Sequence, residues 1–247
     1  MTGFPRVLSL AAGAVLSGVL AIPSSAQTSL SGDALAIACG PRASYGAPAA
    51  GISIAGSLTN AKGVYAPWHR LVVNAGSESG LREGQEFFVR RALPPRDLPP
   101  RGEKPVYAVV TAGWIRIDHL ESQRAIASVI HECDGIIPGD YLEPFAAPTV
   151  PTALPPGSAD YSEPGEVLFG SEGAQVAGTG SLIVINRGSD KGIRPGQRFT
   201  IFRPSEAGPN VIVGRAVALS VQADSTMARV EEMRDAVMAG DGAAPHR

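Results

Sequence analysis

Charge of either sign is scarce in this chain. Lys and Arg number 21 against 23 Asp and Glu, and charged residues make up 18% of 247 positions. Without a basic excess there is no electrostatic footprint for nucleic acid, and no nucleic-acid partner is expected. The common catalytic motifs are missing too. There is no Gly-x-Ser-x-Gly elbow, no His-Glu-x-x-His and no phosphate-cradling P-loop. Gly178-Thr179-Gly180-Ser181 resembles a glycine-rich nucleotide loop, but such loops follow a strand and open a helix, whereas this one precedes a strand. It reads as a β-turn. Only two cysteines are present, too few for a disulfide framework. No segment after Ile22 is apolar for long enough to cross a bilayer.

What is abundant is punctuation. The chain holds 29 glycines and 21 prolines, with 44% apolar residues. The apolar fraction supports a packed core, while the Gly and Pro content favours short strands and many turns over long helices.

The first residues read as a secretory signal peptide. Arg6 supplies the positive start, Val7 to Ile22 is an uncharged apolar run, and Pro23-Ser24-Ser25-Ala26 gives a break followed by small residues. Cleavage is expected after Ala26. The alternative, a membrane anchor, is disfavoured because the run falls short of the roughly 20 residues a span requires. A periplasmic or secreted location follows, with no transmembrane anchor after cleavage. In an oxidising compartment Cys39 and Cys133 can pair, and the alternative is two separately buried thiols.

The central feature is a repeat. Leu71–Arg91 (LVVNAGSESGLREGQEFFVRR) aligns with Ile183–Arg203 (IVINRGSDKGIRPGQRFTIFR), and ten of the 21 positions are identical. Asn74, Gly76, Ser77, Gly80, Gly84, Gln85, Phe87 and Arg91 each meet their own kind 112 residues later. A second block, Ala127–Asp140, matches Ala228–Asp241 at an offset of 101, pairing Asp134 with Asp235 and Gly139-Asp140 with Gly240-Asp241. The difference between the offsets is taken up by Leu93–Pro105 (LPPRDLPPRGEKP), a Pro-rich insertion in the first copy only. Within each unit, β-branched runs at Leu71–Asn74 and its counterpart read as strands. Tyr107–Ile117 and Val211–Ala223 read as long strands, and Ile126–Ile130 and Met227–Glu231 as half-buried ones. Gly51–Gly56 and Glu166–Gly170 add a strand to each copy.

An exposed sheet of five or six short strands invites edge pairing, and curling into a small barrel removes the edges. The expected fold is therefore all-β: two tandem small β-barrel-like domains joined by a Pro-rich linker after a signal peptide. The boundaries are 1–26 for the signal peptide, 27–145 for copy one with the hairpin insertion 93–105, 146–164 for the linker, 165–242 for copy two, and 243–247 for a disordered tail. The stretch Gln27 to Ala50 reads as irregular, and the linker as an extended spacer.

The pattern Asn-x-Gly-Ser-x-x-Gly-[Leu/Ile]-Arg-x-Gly-Gln-x-Phe with a closing Gly-Asp resembles the C-terminal domain of flagellar assembly protein T. It is also similar to the same unit in periplasmic proteins that carry lysin-motif modules. The likeness rests on Asn74, Gly76, Gly80, Gly84 and Phe87, on Asn186, Gly188, Gly192, Gly196 and Phe199, and on the two Gly-Asp pairs, covering about half the chain. A weaker likeness runs to the barrel of rod-shape-determining protein C. The resemblance implies a periplasmic β-barrel that supports envelope assemblies through protein contacts.

Candidate chemistry is thin. His131-Glu132-Cys133 places two possible metal ligands on one strand face, but the second copy has nothing metal-like there, so His131 reads as a strand residue beside a structural cysteine. Asp134, Asp140, Asp235 and Asp241 sit in turns, where Asp bonds nearby backbone. Asn74 and Asn186 read as strand-end residues bonding the turn that follows. No catalytic residue, cofactor or metal site is expected. The candidate partner surface gathers Arg90, Arg91, Arg96, Arg101 and Lys104 around the prolines of the insertion; its alternative is a solvated loop. Trp68 is a further candidate, its alternative being a buried barrel plug. The expected function is a non-enzymatic envelope scaffold with envelope-protein partners, and the alternative is a peptidoglycan- or polysaccharide-binding module.

Overall fold

The computed structural model describes residues 30, 32–49, 51–59, 63–93, 105–205 and 208–247. The expected signal peptide falls outside them, as do Arg96, Arg101 and Lys104 of the insertion. Among the described residues no helix is long and apolar enough to cross a membrane.

The regular structure of the described residues is mostly β. One helix, α1 (Gly32–Cys39), precedes β1 (Arg42–Tyr45), β2 (Ile54–Ser57), β3 (Arg70–Val73), β4 (Glu86–Leu93), β5 (Val106–Leu120), β6 (Ala125–Glu132) and β7 (Tyr141–Pro144). The second half contributes β8 (Gly165–Gly170), β9 (Val176–Ala177), β10 (Leu182–Ile185), β11 (Arg198–Arg203), β12 (Val211–Val221), β13 (Thr226–Met233), β14 (Val237–Met238) and β15 (Gly242–Pro245). In the second half a closed barrel runs β10-β13-β12-β11-β15-β8, with β9 and β14 as a separate pair. In the first half the strands run β2-β3-β6-β5-β4-β7, the same order, with β1 added to β5. Its two end strands meet through a bridge between Ser53 and Tyr141, where the Leu142 N–H donates to Ile52 at 2.8 Å.

The repeated glycines make this closure possible. The Ser77 and Glu78 N–H groups donate to the carbonyls of Glu121 and Ser122, and Ser189 and Asp190 donate in the same way to Gln222 and Ala223. A Cβ on Gly76 or Gly188 would collide with those carbonyl oxygens, so the backbone contact requires glycine there. Gly80 and Gly192 end the two short 3-10 turns in left-handed conformation, at φ 78° and 77°. Each ring encloses its own apolar cluster. Leu71, Val89, Ile115 and Ile117 lie in one, and Ile183, Phe199, Ile201 and Val230 in the other.

Two expectations from the sequence differ from the fold. Gln27 to Ala50 is not irregular throughout: it holds α1 and β1. The helix has few polar neighbours to compete with its backbone and buries Ala38. It sets Leu35 and Ala38 against Phe88 and Trp114 of the first half, and Ile37 against Val217 and Met227 of the second. Residues 243–247 are not a disordered tail. Gly242–Pro245 forms β15, buried at every position and paired on both sides. Its small residues carry little strand propensity of their own, and the two flanking strands impose the conformation. His246 is likewise fixed, with its Nε2 2.9 Å from the Thr200 hydroxyl.

The extra residues of the first copy lengthen a hairpin as well as a loop. β4 and β5 pair out to Leu93–Ala108, and β1 lies on the far side of that extension. The extension supplies Val106, Ala108 and Leu93, which pack with Ala43 against Leu168, Phe169 and Val184 of the second half. Residues 146–164 run largely without regular structure. The Leu154 N–H donates to Gly196 at 2.8 Å, and Asp160 pairs with Arg247 at 2.7 Å.

A disulfide joins the end of α1 to the end of β6, with the Cα atoms of Cys39 and Cys133 5.5 Å apart. Its 94-residue separation makes it an effective constraint on the unfolded chain. The Cys39→Ser/Cys133→Ser protein should lose about 4 kcal/mol of stability. Urea unfolding with and without a reductant measures this: the wild type should fall to the variant's midpoint on reduction.

His246 supplies a pH test. Burial holds its pKa below the usual 6.5, and nearby Arg215 and Arg198 act in the same direction. Its buried Nδ1 also lacks a hydrogen-bond partner, so protonation there would create an unsatisfied donor. The unfolded chain therefore takes the proton more readily. The stabilisation is complete above pH 6.5 and is lost progressively as pH falls from there through the lower value of the folded protein. Urea midpoints taken at about pH 7.5 and about pH 5.5 should differ more for the wild type than for His246→Asn.

Candidate functional site

Most polar residues shared by the two halves are consumed internally. Arg91, on β4, sends Nε and Nη2 to the two oxygens of Asp140, both at 2.8 Å, and Nη2 also donates to the Gly135 carbonyl at 2.7 Å. Arg203, on β11, repeats this with Asp241 at 2.8 and 3.0 Å and with the Ala236 carbonyl at 3.0 Å. Asp134 and Asp235 flank the same guanidinium groups at 3.4 and 3.0 Å. The inner carboxylates are nearly sealed, with Asp140 2% and Asp241 3% exposed. Each also accepts a backbone N–H, from Ile137 or Met238. Hydrogen bonding to Asp140 raises the Arg91 pKa, and Asp241 does the same for Arg203. The Asp235 carboxyl is held low, first by the Ala236 N–H and then by Arg203.

These aspartates bond local backbone, as expected of turn residues, but their main partner is an arginine. Asn74 and Asn186 differ from expectation in direction. Each accepts from the strand opposite, the Ser53 or Glu166 N–H, at 2.8 Å, instead of from the following turn. Both Asn residues thus tie the second strand of the ring to the first.

Arg90 and Arg91 are therefore corrected as partner-binding candidates. Arg91 is engaged with Asp140. Arg90 is 5% exposed, lies over the Phe88 ring, and bonds Thr111 and Glu143. Burial first, and then neighbouring Arg42, push its pKa down to about 10. Glu143 is shared with Arg42, which approaches at 2.7 Å. Strand geometry is the reason: β4 lies between β5 and β7, so its side chains face either the core or the packed outer layer, not an open hairpin surface.

Trp68 is placed oppositely. Trp114 is the buried indole, 2% exposed, whereas Trp68 is 79% exposed and so is not a plug. It stands on the four-residue turn Ala66-Pro67-Trp68-His69, closed by the His69 N–H to the Ala66 carbonyl at 2.9 Å. Proline at the second position presets this turn, and His69 Nδ1 accepts the Ala66 N–H at 2.9 Å, locking it from the other side. Beneath it the Tyr65–Ile136 bridge anchors the turn to the core. The corresponding turn of the second half is Gly178-Thr179-Gly180-Ser181, with Ser181 in the role of His69. Gly180 takes the place of the indole. Leu58 and Val64, 56% and 57% exposed, lie on the same connection as Trp68. The second half exposes Val176, Met233 and Met238 around its own turn.

A cleft of about 450 Å³ opens between Ala47, Gly51 and Ser53, Arg91 and Tyr107 of the long hairpin, and the turn Ile137–Tyr141. A scan against protein-family models and a search of the curated proteins found no match to the chain.

The arginine clasps give a direct test. Arg203→Ala leaves the nearly sealed Asp241 with one backbone donor, and its urea midpoint should fall below that of the wild type. Arg203→Lys, which keeps charge but loses the two-pronged geometry, should recover only part of this in chemical denaturation.

Proposed function

We propose that the protein is an exported, non-enzymatic component of the cell envelope that works as an interaction or assembly scaffold, with two tandem barrel-like units after a cleaved signal peptide. The observation that carries this reading is the presentation of Trp68. A large apolar side chain is held in solvent by a proline turn braced on the ring, on the same connection as the exposed Leu58 and Val64, and exposed apolar surface gathered in this way marks an interaction site. Three further features support it. The repeated polar residues are committed to internal bonds, the N-terminal sequence has the form of an export signal, and the glycine pattern resembles periplasmic assembly domains. Exposed tryptophans often dominate protein interfaces, where truncation typically costs 2 kcal/mol or more.

The same indole favours a second reading, a peptidoglycan- or polysaccharide-binding module, because an exposed aromatic face also stacks on sugars. Two measurements separate the two. Immobilised full chain should retain a defined envelope protein from extract, with affinity falling about thirtyfold in Trp68→Ala. Sedimentation with purified cell wall should leave the chain in solution. Co-sedimentation lost in Trp68→Ala transfers the assignment to the glycan reading, and retention of no protein partner rejects the scaffold reading.

A further inference from the structure

Away from the Trp68 surface, three potential metal ligands converge where α1 meets the end of β6. Cys39 closes the helix, and His131 and Cys133 stand two residues apart on one strand face. One ligand atom from each lies within 4.8 Å of the others, and all three residues are half-buried. The sequence pairs His131 with Cys133; the fold adds Cys39 from the N-terminal helix. The His131 ring stacks on the buried Trp114 at 4.5 Å between centroids and 23° between planes, which orients the imidazole. Both cysteines also line a cleft of about 250 Å³, together with Thr111 and Asp134, so the cluster has an approach from solvent. The second half carries Glu232 and Arg234 at the matching positions, so the ring does not need these side chains to close.

We infer that the reduced protein holds a three-ligand zinc site built from Cys39, Cys133 and His131, mutually exclusive with the disulfide. Two thiolates and an imidazole suit Zn²⁺, and three protein ligands leave a fourth position open to a water or a small ligand. Tetrahedral bonds of about 2.3 Å to sulfur and about 2.0 Å to nitrogen separate the ligand atoms by about 3.5–3.8 Å. The His131 ring nitrogen already lies within 4.8 Å of both sulfurs, while the sulfurs, bonded to each other in the disulfide, must move apart to take these separations. Conversion requires a dithiol reductant. Its two electrons and two protons pass to the Cys39 and Cys133 sulfurs as their bond breaks, and the donor closes its own disulfide. Zn²⁺ then displaces those two protons and binds the thiolates and the neutral His131 ring. Exchange with a second disulfide, which takes the two electrons and two protons from water and leaves as a dithiol, re-forms the sulfur–sulfur bond and releases the ion.

The test uses the full chain, reduced and freed of reductant without air, titrated with Zn²⁺ and, as a spectroscopic substitute, Co²⁺. One equivalent should bind, with a thiolate-to-cobalt absorption band, while the oxidised chain binds none. His131→Ala, which keeps both thiols, should weaken binding at least about tenfold. If reduction alone unfolds the chain, one equivalent of Zn²⁺ should restore the native circular dichroism. Failure of the reduced wild type to bind one equivalent or to refold with it overturns the proposal, as does unchanged affinity in His131→Ala.

Discussion

The buried clasp between arginine and aspartate decides how each ring closes. Asp140 stands immediately before β7, and Asp241 immediately before β15. Each carboxylate is gripped by a guanidinium from the strand that the closing segment must pair with, β4 or β11. The same guanidinium reaches the carbonyl of Gly135 or Ala236, and so it also fixes the turn after β6 or β13. One side chain thereby sets the register of the last strand against its neighbour. Pairs of this kind are weak contributors to net stability, because desolvation offsets much of the attraction. Their value here is geometric. The closing strands are short, and Gly242-Ala243-Ala244-Pro245 carries almost no side-chain information about where it should pair. A bidentate contact that tolerates only one alignment supplies what that sequence lacks.

The first half shows what can be added once closure is secure. Where the second ring has Phe202, packed edge-on against Tyr161, the first has Arg90. An arginine there is tolerable because Glu143 and Thr111 bond it, and Thr111 in turn donates to the Ala38 carbonyl of α1 at 3.0 Å. Phe88, Trp114 and Phe145 form the aromatic seat for the helix. The lengthened hairpin, β1, α1 and the disulfide form one connected elaboration on the outside of the first ring. That elaboration contacts the second half at two places, through Phe169 and Leu168 and through Met227.

The parts of this architecture written in local sequence are legible in the residues alone. Glycine at Gly76, Gly80 and Gly84 marks turns because backbone geometry demands it, and the demand repeats in the second copy. The long β-branched strands were equally plain. What could not be read were elements defined by their neighbours. β15 looks like a frayed terminus because its residues are small. The helix α1 looked like part of an irregular lead-in because its apolar faces are explained only by the surfaces they meet. Arg90 and Arg91 looked like a basic surface because sequence does not show which acids lie across the sheet. The two tryptophans carry no local mark of which is buried, and burial follows from position: Trp114 lies mid-strand in β5, Trp68 at a turn corner.

A duplicated ring also provides its own control. Residues present in both copies at matching positions, Asn74 and Asn186, Arg91 and Arg203, Asp140 and Asp241, perform the same bond in each half, and the fold accounts for them. Residues present once are not required for closure. Trp68 stands where the other turn manages with Gly180, and His131 and Cys133 stand where the other strand end has Glu232 and Arg234. The second ring closes without them, so closing a ring is not what they are for. The exposed indole and the cysteine-histidine cluster therefore draw attention for a physical reason. Within one chain, under one set of folding constraints, they are departures that the repeat itself shows to be unnecessary for its shape.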